Sequence, residues 1–142
     1  MNNAQLFEAY AADFELTYSD NDWSRLLPYF TEEASYDSGD GSEVARGRAA
    51  ILSKLEGAVN ALDRKMGGRD LQIHSVQSSG DTVTAAWTIR LSIKDTPTLE
   101  VSGREVARFS GDAISEMTSM IDAASLEAFG AWMQTYGSSL AD

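Results

Sequence analysis

The sequence predicts an α+β fold in which helices come first and a curved, mostly antiparallel sheet follows and wraps around them, with one more helix at the C-terminal end. Three observations carry that expectation. Apolar residues recur at helical spacing over residues 3–20 and again from Gly47. The period then changes to two between Asp70 and Asp122, and returns to helical spacing over about 123–140. Helices laid against one concave face of such a sheet bury the apolar stripe of each against the other.

The first helix places Leu6, Tyr10, Phe14 and Tyr18 one turn apart, with Phe7 and Ala11 beside them. Its end is marked by "SDND", where Asn21 or Asp22 is placed to cap a second, short helix carrying Trp23, Leu26 and Leu27 before Pro28. "YFTEEASYDS" reads as the approach to a strand. From Gly47, Ile51, Leu55, Val59, Leu62 and Met66 keep spacings of four and three, and "MGG" supplies a stop, which predicts a third helix. "TVTAAWTIRLSI" alternates Val83, Ala85, Trp87, Ile89, Leu91 and Ile93 against polar neighbours, as a long strand with one buried face does. "SSGD", "KDTP" and "SGD" divide the region into four strands joined by hairpins or short loops. The last helix carries Leu126, Phe129, Met133, Tyr136 and Leu140 on one stripe, with Trp132 alongside.

A chain of 142 residues that is 43% hydrophobic with 2 prolines has the size and composition of one globular domain, expected here over 1–142. Without a cysteine it has neither a disulfide nor a nucleophilic thiol. The acidic, polar-interrupted start "MNNAQLFEAYAADFELTYSD" lacks the basic and apolar regions of a secretory signal, so a cytoplasmic location is expected. No stretch approaches the roughly 18 apolar residues of a membrane helix. A net charge of −11 disfavours nucleic acid and anionic membranes. No glycine-rich phosphate loop is present, so no nucleotide cofactor is implied, and no cofactor is expected.

Glu105 carries the strongest chemical signal. In "LEVSGREVARF", alternation groups it with Val101, Gly103, Ala107 and Phe109, an apolar face on which burial raises a carboxyl's pKa and readies it as a proton donor or a base near neutral pH. The alternatives are an ion pair with Arg48 or Arg90, or a place in water at the rim. In "EEASYDSGDG", Tyr36 pointing inward leaves Asp37 pointing out. Asp37 is then a solvated acid beside a turn, unless a bulge at Gly39 or Gly41 shifts the register and carries it into a pocket as a base. The spacing of "DSGDGSE" does not fit an EF-hand loop. His74, the one histidine, alternates with Gln72 and Val76 rather than with Leu71 and Ile73, and one histidine is short of a metal site.

The order of these elements resembles the nuclear transport factor 2-like superfamily, in its SnoaL-like and ketosteroid-isomerase-like branch. The local matches are "DWSRLLPYFTEEASYD", "ARGRAAI", "SGDTVTAAWTIRL" and "GREVARFSGDAISEM", within roughly residues 7–122. The resemblance implies a cone, a bent sheet around a long helix with an apolar pocket between them, and a homodimer made through the sheet's outer face. It implies a small, largely apolar organic ligand, with cofactor-free acid/base chemistry of the isomerase, dehydratase or cyclase type. The rival class is a non-catalytic homodimeric or partner-binding module. Glu105 matches the position of the isomerase-like acidic hydrogen-bond donor. The catalytic base falls on Ser38, with Asp37 beside it, and the helix tyrosine falls on Phe14, flanked one turn away by Tyr10 and Tyr18. Trp87, Met117, Ser119 and Ile121 match strand positions that line the cavity. Glu105 and Asp37 are thus the candidate catalytic residues, and Phe14, Tyr18, Trp23, Tyr36, Trp87, Met117 and Ser119 the candidate ligand-binding ones. The C-terminal helix lies outside the usual core, as a lid or an oligomer contact.

Overall fold

In the computed structural model, which describes residues 1–140, helix α1 (Asn3–Asp20) begins at a reciprocal cap. The Asn2 side chain accepts from the Gln5 N–H at 2.8 Å while Gln5 Oε1 accepts from the Asn2 N–H at 3.0 Å, so two otherwise unpaired donors are satisfied. The helix ends at Asn21 in the left-handed region, φ 62°. Asn21 therefore closes α1 instead of opening the next helix. The segment Trp23–Tyr29 is a 3₁₀ helix that contains Pro28 rather than stopping before it.

Strand β1 (Phe30–Asp37) pairs with a two-residue strand β2 (Ala45–Arg46), which the sequence pattern does not announce. Helix α2 (Arg48–Ala61) buries Ile51, Leu52, Leu55 and Val59 and ends a turn earlier than its apolar spacing suggests. Leu62 leaves helical geometry, a 3₁₀ turn at Asp63–Lys65 follows, and Met66 is buried beyond it against Leu91, Leu99 and Val101. The long strands β3 (Gly68–Ser79), β4 (Thr82–Ser92), β5 (Leu99–Ser110) and β6 (Ala113–Ile121) form the antiparallel meander that the alternation predicts. The sheet order is β2-β1-β6-β5-β4-β3, and β1 joins β6 in parallel, so the sheet is mixed.

Helix α3 (Ala123–Tyr136) is followed by a 3₁₀ turn at Gly137–Leu140, so the last helical stretch tightens before its end. It packs chiefly against β5. The Trp132 indole N–H donates to the Pro97 carbonyl at 2.9 Å, which ties the helix to the β4–β5 connection. Two apolar clusters result. One lies between α1, α2 and the concave face of the sheet, around Phe7, Tyr10, Leu26, Phe30, Ile51, Val83 and Met117. The other lies under α3, around Leu91, Leu99, Val101, Trp132 and Leu140. No helix among the described residues is long and apolar enough to cross a membrane.

Candidate functional site

Between α1, α2 and the concave face of the sheet lies a cavity of about 170 Å³, walled by Phe7, Tyr10, Phe14, Leu55, Ala85, Trp87 and Met117, with Tyr36 and Glu105 among its few polar groups. A second hollow of about 450 Å³ lies beneath α3, walled by Leu62, Ile89, Leu91, Val101, Ile121, Leu126 and Phe129. Phe14, Tyr36, Leu55, Leu71, Trp87 and Glu105 line both. The two are lobes of one apolar site, an inner one against α1 and an outer one beneath α3, and Glu105 stands at their junction.

Strand pairing puts Glu105 there. On β5 it lies opposite Ala85 of β4 on one side and Ser119 of β6 on the other, so all three share the concave face. Ser119 Oγ donates to Glu105 Oε1 at 2.6 Å, and Tyr36 Oη lies 2.8 Å from Ser119 Oγ. The serine spends its one proton on Glu105, so it accepts from the tyrosine, and the three side chains form a directed chain, Tyr36 to Ser119 to Glu105. The Trp87 Nε1 is buried with no hydrogen-bond partner, and its N–H faces the same carboxyl.

Burial pushes the Glu105 carboxyl from 4.5 up to about 7, with Ser119 and Trp87 pulling it partly back by favouring the ionised form. Near neutral pH the group is therefore shared between acid and carboxylate. In the acid form Oε1 accepts from Ser119 and one O–H remains for a molecule in the cavity. In the carboxylate form the same oxygen can take a proton. Burial and the adjacent Glu105 charge hold the Tyr10 and Tyr36 phenols well above their usual value, so both stay protonated.

Neither basic residue weighed as a partner neutralises Glu105. Arg90 pairs with Glu100 at 2.8 Å on the opposite face of the sheet, and no ion pair of Arg48 occurs among the described residues. Phe14, Tyr36, Trp87, Met117 and Ser119 line the site, as does Ile121. Asp37 lines neither lobe: it lies opposite Thr118 on the convex side, and its carboxylate accepts from the Gly39 N–H at 2.9 Å. Its neighbour Ser38 borders the outer lobe and donates to Asp40 at 2.7 Å. Gly39 makes this turn with φ +75°, and a β-carbon there would stand 2.1 Å from the Ser119 carbonyl oxygen, so the rim loop is seated directly on the strand that carries Ser119.

Tyr18 and Trp23 also line neither lobe. Tyr18 lies under the Arg69 guanidinium, 4.6 Å from its ring centroid, with its hydroxyl toward the Asp63 carbonyl, while Arg69 also pairs with Glu15 and, at 2.8 Å, with Asp63. Trp23 is a core residue whose N–H is taken by Asn21 Oδ1 at 2.8 Å. A bulge between Ile73 and Ser75 returns Val76, rather than His74, to the concave side, and His74 bonds Thr88 Oγ1 at 2.8 Å on the convex face. Leu55, Leu71 and Phe129 belong to the site without having been singled out for it, and Tyr10, which flanks Phe14 and reads from its spacing as a core aromatic, lines the inner lobe. Their helical or strand periodicity marks them as core, and periodicity does not distinguish a packed interior from a hollow one. Among the described residues no group of three or more His, Asp or Glu converges as a metal-ligand set.

Known structures share this architecture. TerC, crystallised with polyporic acid, is 16% identical over 93% of this chain and 98% of its own, with a TM-score of 0.70. A protein with a ketosteroid isomerase-like fold from Catenulispora acidiphila, in complex with trimethylamine, is 18% identical over 87% and 90%, with a TM-score of 0.67. SalBIII, an epoxide hydrolase/cyclase-like enzyme of pyran ring formation in the polyether salinomycin, is 18% identical over 88% and 97%, with a TM-score of 0.63. At such identities the likeness establishes the fold, the cone expected from the sequence. No functionally curated protein matches the chain by sequence. The SnoaL-like domain family model matches residues 7–117, from the first helix to the strand that holds Met117, and the chain therefore belongs to the SnoaL-like domain family of the nuclear transport factor 2-like superfamily.

Proposed function

We propose that this protein binds a small, largely apolar organic molecule in the cone and that Glu105 orients or protonates it, in cofactor-free chemistry of the isomerase, dehydratase or cyclase type. The observation that carries this reading is an acid without a cationic partner, pushed up to about 7, at the junction of two apolar lobes. A module held together by packing alone has no use for such a group, because burying a carboxyl without a cation costs stability. Relatives that act in ring formation or hold a small organic molecule lend the reading support. Homodimer formation through the convex face of the sheet, expected from the family likeness, is part of the proposal.

The direct test is native mass spectrometry of protein purified without ligand. A retained small organic molecule in the wild type that is lost on replacing Met117 by Trp, which fills the inner lobe, is the expected result. A clean apo mass, together with no stabilisation by any neutral organic compound in a thermal-shift screen, would end the ligand reading.

A further inference from the structure

We infer that the ligand is an elongated molecule without anionic groups, with a single oxygen function near its middle, one compact apolar end in the inner lobe and a longer apolar arm running beneath α3, where Leu126 and Phe129 decide which arms are accepted. The inference rests on the ligand-binding reading above and adds the ligand's shape, charge and selecting residues. Its first ground is the partition of the site. The lobe of about 170 Å³ has room for little more than one ring, whereas the lobe of about 450 Å³ is larger and runs beneath α3. Arg69, Glu15 and Asp63 are engaged with one another, and Ser38 with Asp40 at the rim, so the hydrogen-bonding groups left to face a ligand are those where the lobes meet, Glu105, Ser119 and Tyr36.

The second ground is charge. The outer lobe is bordered by Asp40, Asp63 and Glu105, with no lysine or arginine among its lining residues, so an anionic arm would meet like charge in a poorly solvated place. The one arginine in the inner lobe, Arg69, already pairs with Glu15 and Asp63. The third ground is α3 itself. It lies beyond the part of the chain that matches the family, yet Leu126 and Phe129 form the far wall of the outer lobe. Leu126 is 43% exposed there, an apolar side chain at the border between lobe and solvent.

Alkyl phenyl ketones test the inference, followed by tryptophan fluorescence, to which Trp87 reports from both lobes, and by calorimetry. Acetophenone places its ring in the inner lobe and its carbonyl at Glu105; butyrophenone and octanophenone add an arm. Affinity is expected to rise by roughly fourfold per buried methylene until the arm leaves the outer lobe. Leu126→Trp, which narrows that lobe at a half-exposed position, is expected to weaken octanophenone at least tenfold and leave acetophenone unchanged. Phe129→Ala is expected to weaken octanophenone in the same selective way. An octanophenone carrying a terminal carboxylate is expected to bind at least tenfold more weakly than one carrying a terminal alcohol. Equal affinity for the short and long ketones, equal weakening of both by Leu126→Trp, or no preference for the alcohol over the carboxylate overturns this inference and leaves Glu105 and the inner lobe in place. Failure of every ketone, acetophenone included, overturns this inference, and together with a clean apo mass and an empty thermal-shift screen it overturns the ligand reading beneath it as well.

Discussion

At the scale of the residue, Glu105 links stability to pH with a definite sign. Its carboxyl titrates near 4.5 in the unfolded chain and about 7 in the folded one, so over that window the folded state holds the extra proton. Below pH 4.5 the group is protonated in both states and costs nothing. As pH rises from 4.5 toward 7 the unfolded chain ionises the group while the folded state still holds the proton, so stability falls across that window and levels off once the folded group ionises too. Glu105→Gln keeps an acceptor for the Ser119 hydroxyl but cannot ionise, so it is expected to match the wild type at pH 4.5 and exceed it at pH 8 by roughly 2–3 kcal/mol. Urea unfolding at the two pH values measures this, and an equal difference at both would show that Glu105 is not the titrating group. Gly103 offers a second check. A β-carbon there would stand 2.5 Å from the Met120 carbonyl oxygen and 3.0 Å from Trp87 Cζ2, so the indole lies across a strand that has no side chain at that point. Gly103→Ala is expected to lower stability by roughly 1–3 kcal/mol, as overpacking does, and to shift Trp87 fluorescence. Because the displaced indole N–H no longer favours the carboxylate, the Glu105 titration should move upward.

At the scale of the element, the sequence is legible where one local rule acts alone. Helix α1, the four-strand meander and the inward side of β5 follow from periodicity, and that side places Glu105 correctly. The exceptions are local events that leave a period-two pattern almost intact. The β3 bulge costs one residue of register and moves Val76 inward; β2 is two residues long; and the end of α2 is set by Met66 finding a place under α3, a contact no spacing encodes. Tyr18 and Trp23 fall on the right faces but are claimed by Arg69, far along the chain, and by Asn21, whose side chain turns back to the indole instead of capping the next helix. The mooring of α3 is legible only in part, since its stripe is apolar but its anchor is the Trp132 bond to Pro97. Trp132→Phe removes that bond while keeping most of the buried area, for an expected loss of about 1 kcal/mol, whereas Trp132→Ala should cost about 3–5 kcal/mol. Hydrogen exchange distinguishes a local from a global effect: faster exchange confined to residues 123–136 is expected in Trp132→Phe, and a uniform increase across β4 and β5 would show that α3 is not a separate opening unit.

At the scale of the whole molecule, the proposed homodimer would bring together two chains of net charge −11. Two such copies repel, and the repulsion is least through the surface where charge most nearly cancels. That surface is the convex face of the sheet. By strand register it presents Arg90, Arg104 and Arg108 against Asp37, Asp70, Glu100 and Glu116, while the remaining excess of acids lies elsewhere. Arg104 stands between Ala86 and Met120 there, makes no ion pair among the described residues, and adjoins Met120, whose side chain is 45% exposed. A half-exposed methionine beside an arginine left without an acid on its own copy, on a face whose charges largely cancel, suits an isologous contact, in which each copy offers the same patch. Sedimentation equilibrium is therefore expected to give a dimer mass that strengthens with added salt as the acidic remainder is screened. Met120→Asp should yield a monomer, because two new charges would face each other across the symmetry axis, with a melting temperature unchanged at low protein concentration, where the wild type is also dissociated. A wild type that stays monomeric at high salt, or a Met120→Asp variant that keeps the dimer mass, would remove the convex face as the site of pairing.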